Sequence, residues 1–137
     1  MYDNLKIISY AFPGVAFGAG TTTGKLPIPR GAQMARVLDI FVTATVVFTQ
    51  VTTPALVQVG DGTTAAAFAQ LNVGGLAVGN TISGRDAPIF VAVYNAYGYN
   101  SAAGLHDLIA TFVAPTGGTP TGTGNVLIVV GYDVINT

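Results

Sequence analysis

The sequence predicts an all-β protein, an antiparallel β-sandwich or barrel of about eight strands with one short helix. Three observations carry this. Apolar and polar residues alternate with a period of two in several runs, most clearly over 37–49. Clusters of Gly, Pro and Thr punctuate those runs at short, regular spacing. Only one Ala-rich run, 63–71, has the composition of a helix. At 137 residues the chain is long enough for one domain with a proper core, and it contains no internal repeat or linker.

Taken in order, residues 5–11 alternate as a first strand that Pro13-Gly14 ends. The small residues of 15–23 form a loop or arm. In 25–30, Lys-Leu-Pro-Ile-Pro-Arg, proline alternates with aliphatic residues. Proline cannot donate to a ladder, so this piece is an edge strand or a strap lying on another surface. Residues 1–30 are therefore expected to be an N-terminal strand and extended arm, and 31–137 the sandwich, with a single domain overall. The long strand has Val37, Asp39, Phe41, Thr43, Thr45, Val47 and Thr49 on one face. Leu38, Ile40, Val42, Ala44, Val46 and Phe48 lie on the other, which is wholly apolar and so must be buried. A turn at Thr52-Thr53-Pro54, a second strand over 55–59 and a Gly60-Asp61-Gly62 corner read as an antiparallel hairpin. Thr64 is positioned to cap a helix of one or two turns in 63–71. Residues 73–82 form a short bent strand broken by glycines, and 88–96 and 105–114 are alternating strands joined by a Tyr-rich loop. Residues 115–124 (PTGGTPTGTG) are turn. The last strand, 125–135, is apolar on nearly both faces and is expected to be central.

Composition removes whole classes of function. Only 8% of residues are charged, against about 25% in an average protein. There is no Glu, and the net charge is −1. The run 40–60 is charge-free and long enough to span a bilayer, but five Thr, a Pro and a period of two make it a strand. No membrane role is expected, and no secretory signal, since the first ten residues include Asp3 and lack an apolar core. Five scattered basic residues, Lys6, Lys25, Arg30, Arg36 and Arg85, give no patch for phosphates, so no nucleic acid is expected. Without Cys there is neither a disulfide nor a thiolate site. A nearly uncharged surface is a solubility hazard for a free monomer, and covering by neighbouring subunits removes the hazard.

Catalytic sets are also missing. One His excludes paired-His metal motifs. His106 and Asp107 are strand neighbours that point to opposite faces, and no Ser lies in a nucleophile elbow. Asp61, alone among glycines, reads as a turn residue and not as a Ca²⁺ ligand. The expectation is a protein that is not an enzyme and takes no cofactor or metal. Six tyrosines remain, with Tyr94, Tyr97 and Tyr99 clustered beside Asn95 and Asn100. An aromatic and amide loop of that kind stacks on a sugar ring or anchors a protein interface. The candidate interface residues are Leu26 and Ile28 of the strap, Arg30, Arg36 and Arg85 for bidentate contacts, and Tyr97 and Tyr99.

The Val/Thr strand followed by a Thr/Pro turn and ALVQVGDGTTAAAFA resembles structural proteins of tailed-bacteriophage virions. So does the terminal TGTGNVLIVVGYDVI. The resemblance covers 35–71 and 119–135, and the most similar group is the small jelly-roll head decoration, or cement, proteins. It implies a jelly-roll-like sandwich that forms a homotrimer, is made in the host cytoplasm and sits on the capsid exterior. There it would clamp the major capsid protein and stabilise the lattice. Related jelly rolls in tails and fibres bind receptors or carbohydrate, which leaves a glycan-binding module as the alternative.

Overall fold

Alternation converts into sheet wherever the apolar set of one run can face that of another. The computed structural model describes residues 5–28, 32–60, 65–66, 68–84, 97–98 and 108–134. Among these are nine strands: β1 (Leu5–Val15), β2 (Thr22–Leu26), β3 (Ala32–Thr49), β4 (Leu56–Gly60), β5 (Ala69–Asn72), β6 (Thr81–Ser83), β7 (Tyr97–Gly98), β8 (Leu108–Val113) and β9 (Thr121–Val134). Two antiparallel sheets result. The first has the order β1-β9-β3-β6, with the short β7 also on β3; the second has the order β2-β8-β4-β5. Each connection β1→β2, β3→β4, β5→β6 and β8→β9 passes from one sheet to the other. Eight strands wound this way have the order of a double-sheet jelly roll. β9 lies between β1 and β3, the central position its two apolar faces require.

The core is the layer between the sheets. β3 contributes Ala35, Val37, Ile40, Val42, Ala44 and Phe48, and β9 contributes Val126, Ile128 and Val130. The second sheet answers with Leu26, Val57, Val59, Ala69, Leu71, Leu108, Ala110 and Phe112. Four rings bolt the layers together. Phe12 meets Phe112 at 5.2 Å, Phe112 meets Phe17 at 5.8 Å and Phe17 meets Phe48 at 5.2 Å, all edge-to-face. Each such pair adds about 0.5–1.5 kcal/mol beyond the area it buries. Phe17 belongs to a 3₁₀ turn, Phe17–Ala19, between β1 and β2.

Several expectations are corrected here. The segment after β3 does not fold back beside it. β4 lies in the opposite sheet, paired with β5 and β8, so the expected hairpin is a crossover between layers. The Thr52-Thr53-Pro54 turn is pinned instead to the chain before β9, where the Thr116 carbonyl accepts from the Thr52 amide at 2.9 Å. The helix expected in 63–71 is corrected where the residues are described: 65–66 are turn and Ala69–Asn72 is strand, with Ala69 and Leu71 buried opposite Val59 and Val57. Tertiary pairing outweighs the propensity of alanine. The short helical turn lies at 17–19 instead. Pro13-Gly14 does not end the first strand, which shifts register there and continues to Val15. Gly14, at φ +65°, makes the bulge, and its amide donates to Asn125 Oδ1 at 2.8 Å.

The strict alternation of β3 is broken too. Its register against β9 shifts at 32–34, 37–39, 44–46 and 46–49. The shift at 37–39 moves the inward set from Ala35 and Val37 to Ile40, Val42 and Ala44. Val37 is buried, whereas Leu38 lies over Gly131 on the outside. Val46, expected inside, is 44% exposed. Finally, the N-terminal region is not an arm separate from the sandwich. β1 is an edge of one sheet and β2 an edge of the other, pairing with β9 and β8. Thus the prolines that follow β2 mark an edge strand. The Tyr10 hydroxyl, donating to the Pro27 carbonyl, ties the far end of that edge to β1. The strand expected over 88–96 lies outside the described residues.

Candidate interaction surface

Four of the seven candidate residues, Leu26, Ile28, Arg36 and Tyr97, are described. Leu26 and Ile28 are buried in the chain's own core, at 0% and 5% exposure, and are spent on the fold. Arg36 is exposed on β3, where its backbone pairs with Gly131. Tyr97 enters β7 and pairs through its backbone with Ala35. Arg30, Arg85 and Tyr99 lie outside the described residues, as do Asp61, His106, Asp107 and Tyr94. Asp39 Oδ1 accepts from its neighbour Ile40 at 2.8 Å and from Gly84 at 3.0 Å, holding the chain beyond β6 against β3. Among the described residues no group of three His, Cys, Asp or Glu side chains comes together, and no helix is long and apolar enough to cross a membrane.

The outer faces of the two sheets differ in chemistry. On the second sheet, Thr23, Thr111, Gln58 and Gln70 occupy one row across all four strands. The Gln58 amide donates to Gln70 Oε1 at 2.8 Å within that row. On the first sheet the matching row is Ala11, Leu127, Phe41 and Ser83. Ile7, 64% exposed, extends that apolar character along β1.

A sharper division runs along the strands. The charged residues leave five long uncharged runs: 7–24, 40–60, 62–84, 87–105 and 108–132. Of 87–105 only 97–98 are described; each of the other four carries one strand to the same end of the sandwich, crosses to the other sheet and returns. That end is built from the crossovers after β1, β3, β5 and β8, and among the described residues it contains no Asp, Glu, Lys, Arg or His. Lys6, Lys25, Arg36 and Asp39 all lie toward the opposite end, and Asp133 sits opposite Leu5 there.

The crossovers of the uncharged end hold one another. The Thr53 and Thr116 hydroxyls meet at 2.5 Å, and Thr116 N–H donates to the Thr53 carbonyl at 3.0 Å. Thr49 and Thr121 share a hydrogen bond of 2.8 Å, and Thr121 Oγ1 also donates to the Val47 carbonyl at 2.7 Å. Thr43 and Thr81 pair at 2.7 Å. Val73 N–H donates to Ala55 at 2.9 Å, and Phe48 N–H to Leu76 at 3.0 Å. With Ala44 N–H donating to Asn80 at 3.0 Å, the latter bond sets Val46 opposite Val78 along the edge of β3. The result is a firm surface of paired threonines with four exposed valines. Val46 is 44% exposed, Val47 41%, Val51 79% and Val78 60%. Sequence reading missed this end, although the spacing of the charges was its signal.

No family model matches the chain, and no curated protein does. Among solved structures, the chain is similar to one from the cyanophage Pam1 capsid asymmetric unit. The two share 20% identity over 96% of this chain and 86% of that one, with a TM-score of 0.51. A second likeness, to a pilus protein of Bacillus endospore appendages, has 10% identity over 98% of this chain and 95% of that one. Its TM-score of 0.30 carries no argument. At 20% identity, what this chain shares with the capsid chain is its fold.

Proposed function

We propose that this chain is a structural virion protein, a decoration or cement protein that binds the outside of a phage head as a homotrimer and stabilises the capsid lattice. The observation that carries the reading is the sandwich itself, which aligns over 96% of its length with a chain of a cyanophage capsid asymmetric unit. The low charge agrees with it, because a surface so short of charges suits a protein surrounded by neighbours. The partner is the major capsid protein, and the location is the virion exterior after synthesis in the host cytoplasm. The protein is not an enzyme and needs no cofactor, nucleic acid or membrane. Stabilisation comes from repetition. Many copies on a lattice, each trimer touching several capsid subunits, gain by multivalency what a single contact lacks.

The test adds purified protein to empty heads assembled from the major capsid protein of the same genome. The expected outcome is saturable co-sedimentation and a higher temperature of head rupture. Protein left wholly in the supernatant, with rupture unchanged, contradicts the reading.

A further inference from the structure

We infer that the uncharged end of the sandwich is where copies of this chain meet around their rotation axis. This rests on the homo-oligomer of the proposed function and names the surface that makes it. In a closed ring of identical chains, residues near the axis face their own copies. A charge placed there meets the same charge from every neighbour, and like charges so juxtaposed cost several kcal/mol. Of the two ends of this sandwich, the one built from the crossovers after β1, β3, β5 and β8 brings, among the described residues, no charge to an axis. A second copy of the same end meets it with no like charges opposed.

The polar groups there favour burial as well. A hydroxyl taken from water costs free energy unless it keeps a hydrogen bond. Thr43, Thr49, Thr53, Thr81, Thr116 and Thr121 are already paired with one another, so they keep their bonds when water leaves. Val51 and Val78, the most exposed of the valines, then supply apolar area that gains by contact. The crossovers are bonded to each other across the gap between the sheets, so little further ordering is needed on association.

The experiment measures the mass of the full chain by sedimentation at micromolar concentration, with no capsid present. Wild type is expected as a multimer. Val51→Lys and Val78→Lys, both at exposed positions and checked for an unchanged melting transition, are expected to weaken association by about a hundredfold or more. Val51→Thr and Val78→Thr, which add no charge, are expected to keep the multimer. So is Ile7→Lys, on the outer face of the first sheet. A monomeric wild type overturns the inference. So does a multimer that survives both lysines, or one that dissociates with Ile7→Lys alone. If the lysine variants stay multimeric but no longer attach to heads, the uncharged end faces the capsid, which overturns the inference and leaves the proposed function standing. Dissociation by the lysines in a protein that never attaches to heads supports the inference and sinks the proposed function.

Discussion

The two ends of this sandwich are built on opposite terms. At one end the chain crosses between the sheets four times, and threonine pairs, short amide–carbonyl bonds and a row of phenyl rings fix every crossing. Among the described residues no charged side chain lies there. Toward the other end stand Lys6, Lys25, Arg36, Asp39 and Asp133, on strands that carry the same apolar core. An 8% charged content therefore does not describe an evenly uncharged surface. It describes a protein with one end suited to water and one suited to contact. Averages over composition hide that difference, whereas the order of the strands makes it visible.

The uncharged end can be loosened from the inside. The largest effect is expected for Phe17→Ala. This ring is fully buried and joins β3 and β8 through Phe48 and Phe112, so its loss opens a cavity beneath the uncharged end. The expected cost is about 3–5 kcal/mol, read from the denaturation midpoint in urea. If the uncharged end were a loose set of loops, the loss would be well under that. A smaller effect is expected for Gly122→Ala. Gly122 has φ +152°, and a Cβ there would come within 2.5 Å of the Phe48 ring. The ring must move, at about 1–3 kcal/mol in the same measurement.

Sequence reading reached the fold class because period-two alternation and turn residues are local signals. It also placed β9 centrally, between β1 and β3, because the strand is apolar on nearly both faces. What it could not reach was partnership. Turn chemistry at Thr52-Thr53-Pro54 looks the same whether the next strand lies alongside or in the opposite layer. Only the pairing of β4 with β5 and β8 decides that. Bulges were equally hidden: Val37 and Leu38 are both aliphatic, so nothing in the sequence marks where the inward face changes. The Ala-rich run showed helical propensity, but the apolar partners Val57 and Val59 claim it for a strand. Leu26 and Ile28 read as strap residues because prolines surround them, and they prove to be core. The useful clue to a surface was negative and spread over the whole chain. Four of the five long charge-free runs acquire meaning only when the topology brings their midpoints to one end.

Amide hydrogen exchange of the full chain at low and high protein concentration tests that division most directly. On association, the expected new protection falls in 49–54, 73–80 and 114–121, while 5–9 and 35–39 exchange as before. Protection gained at 5–9 and 35–39, with the crossover segments unchanged, would contradict the account.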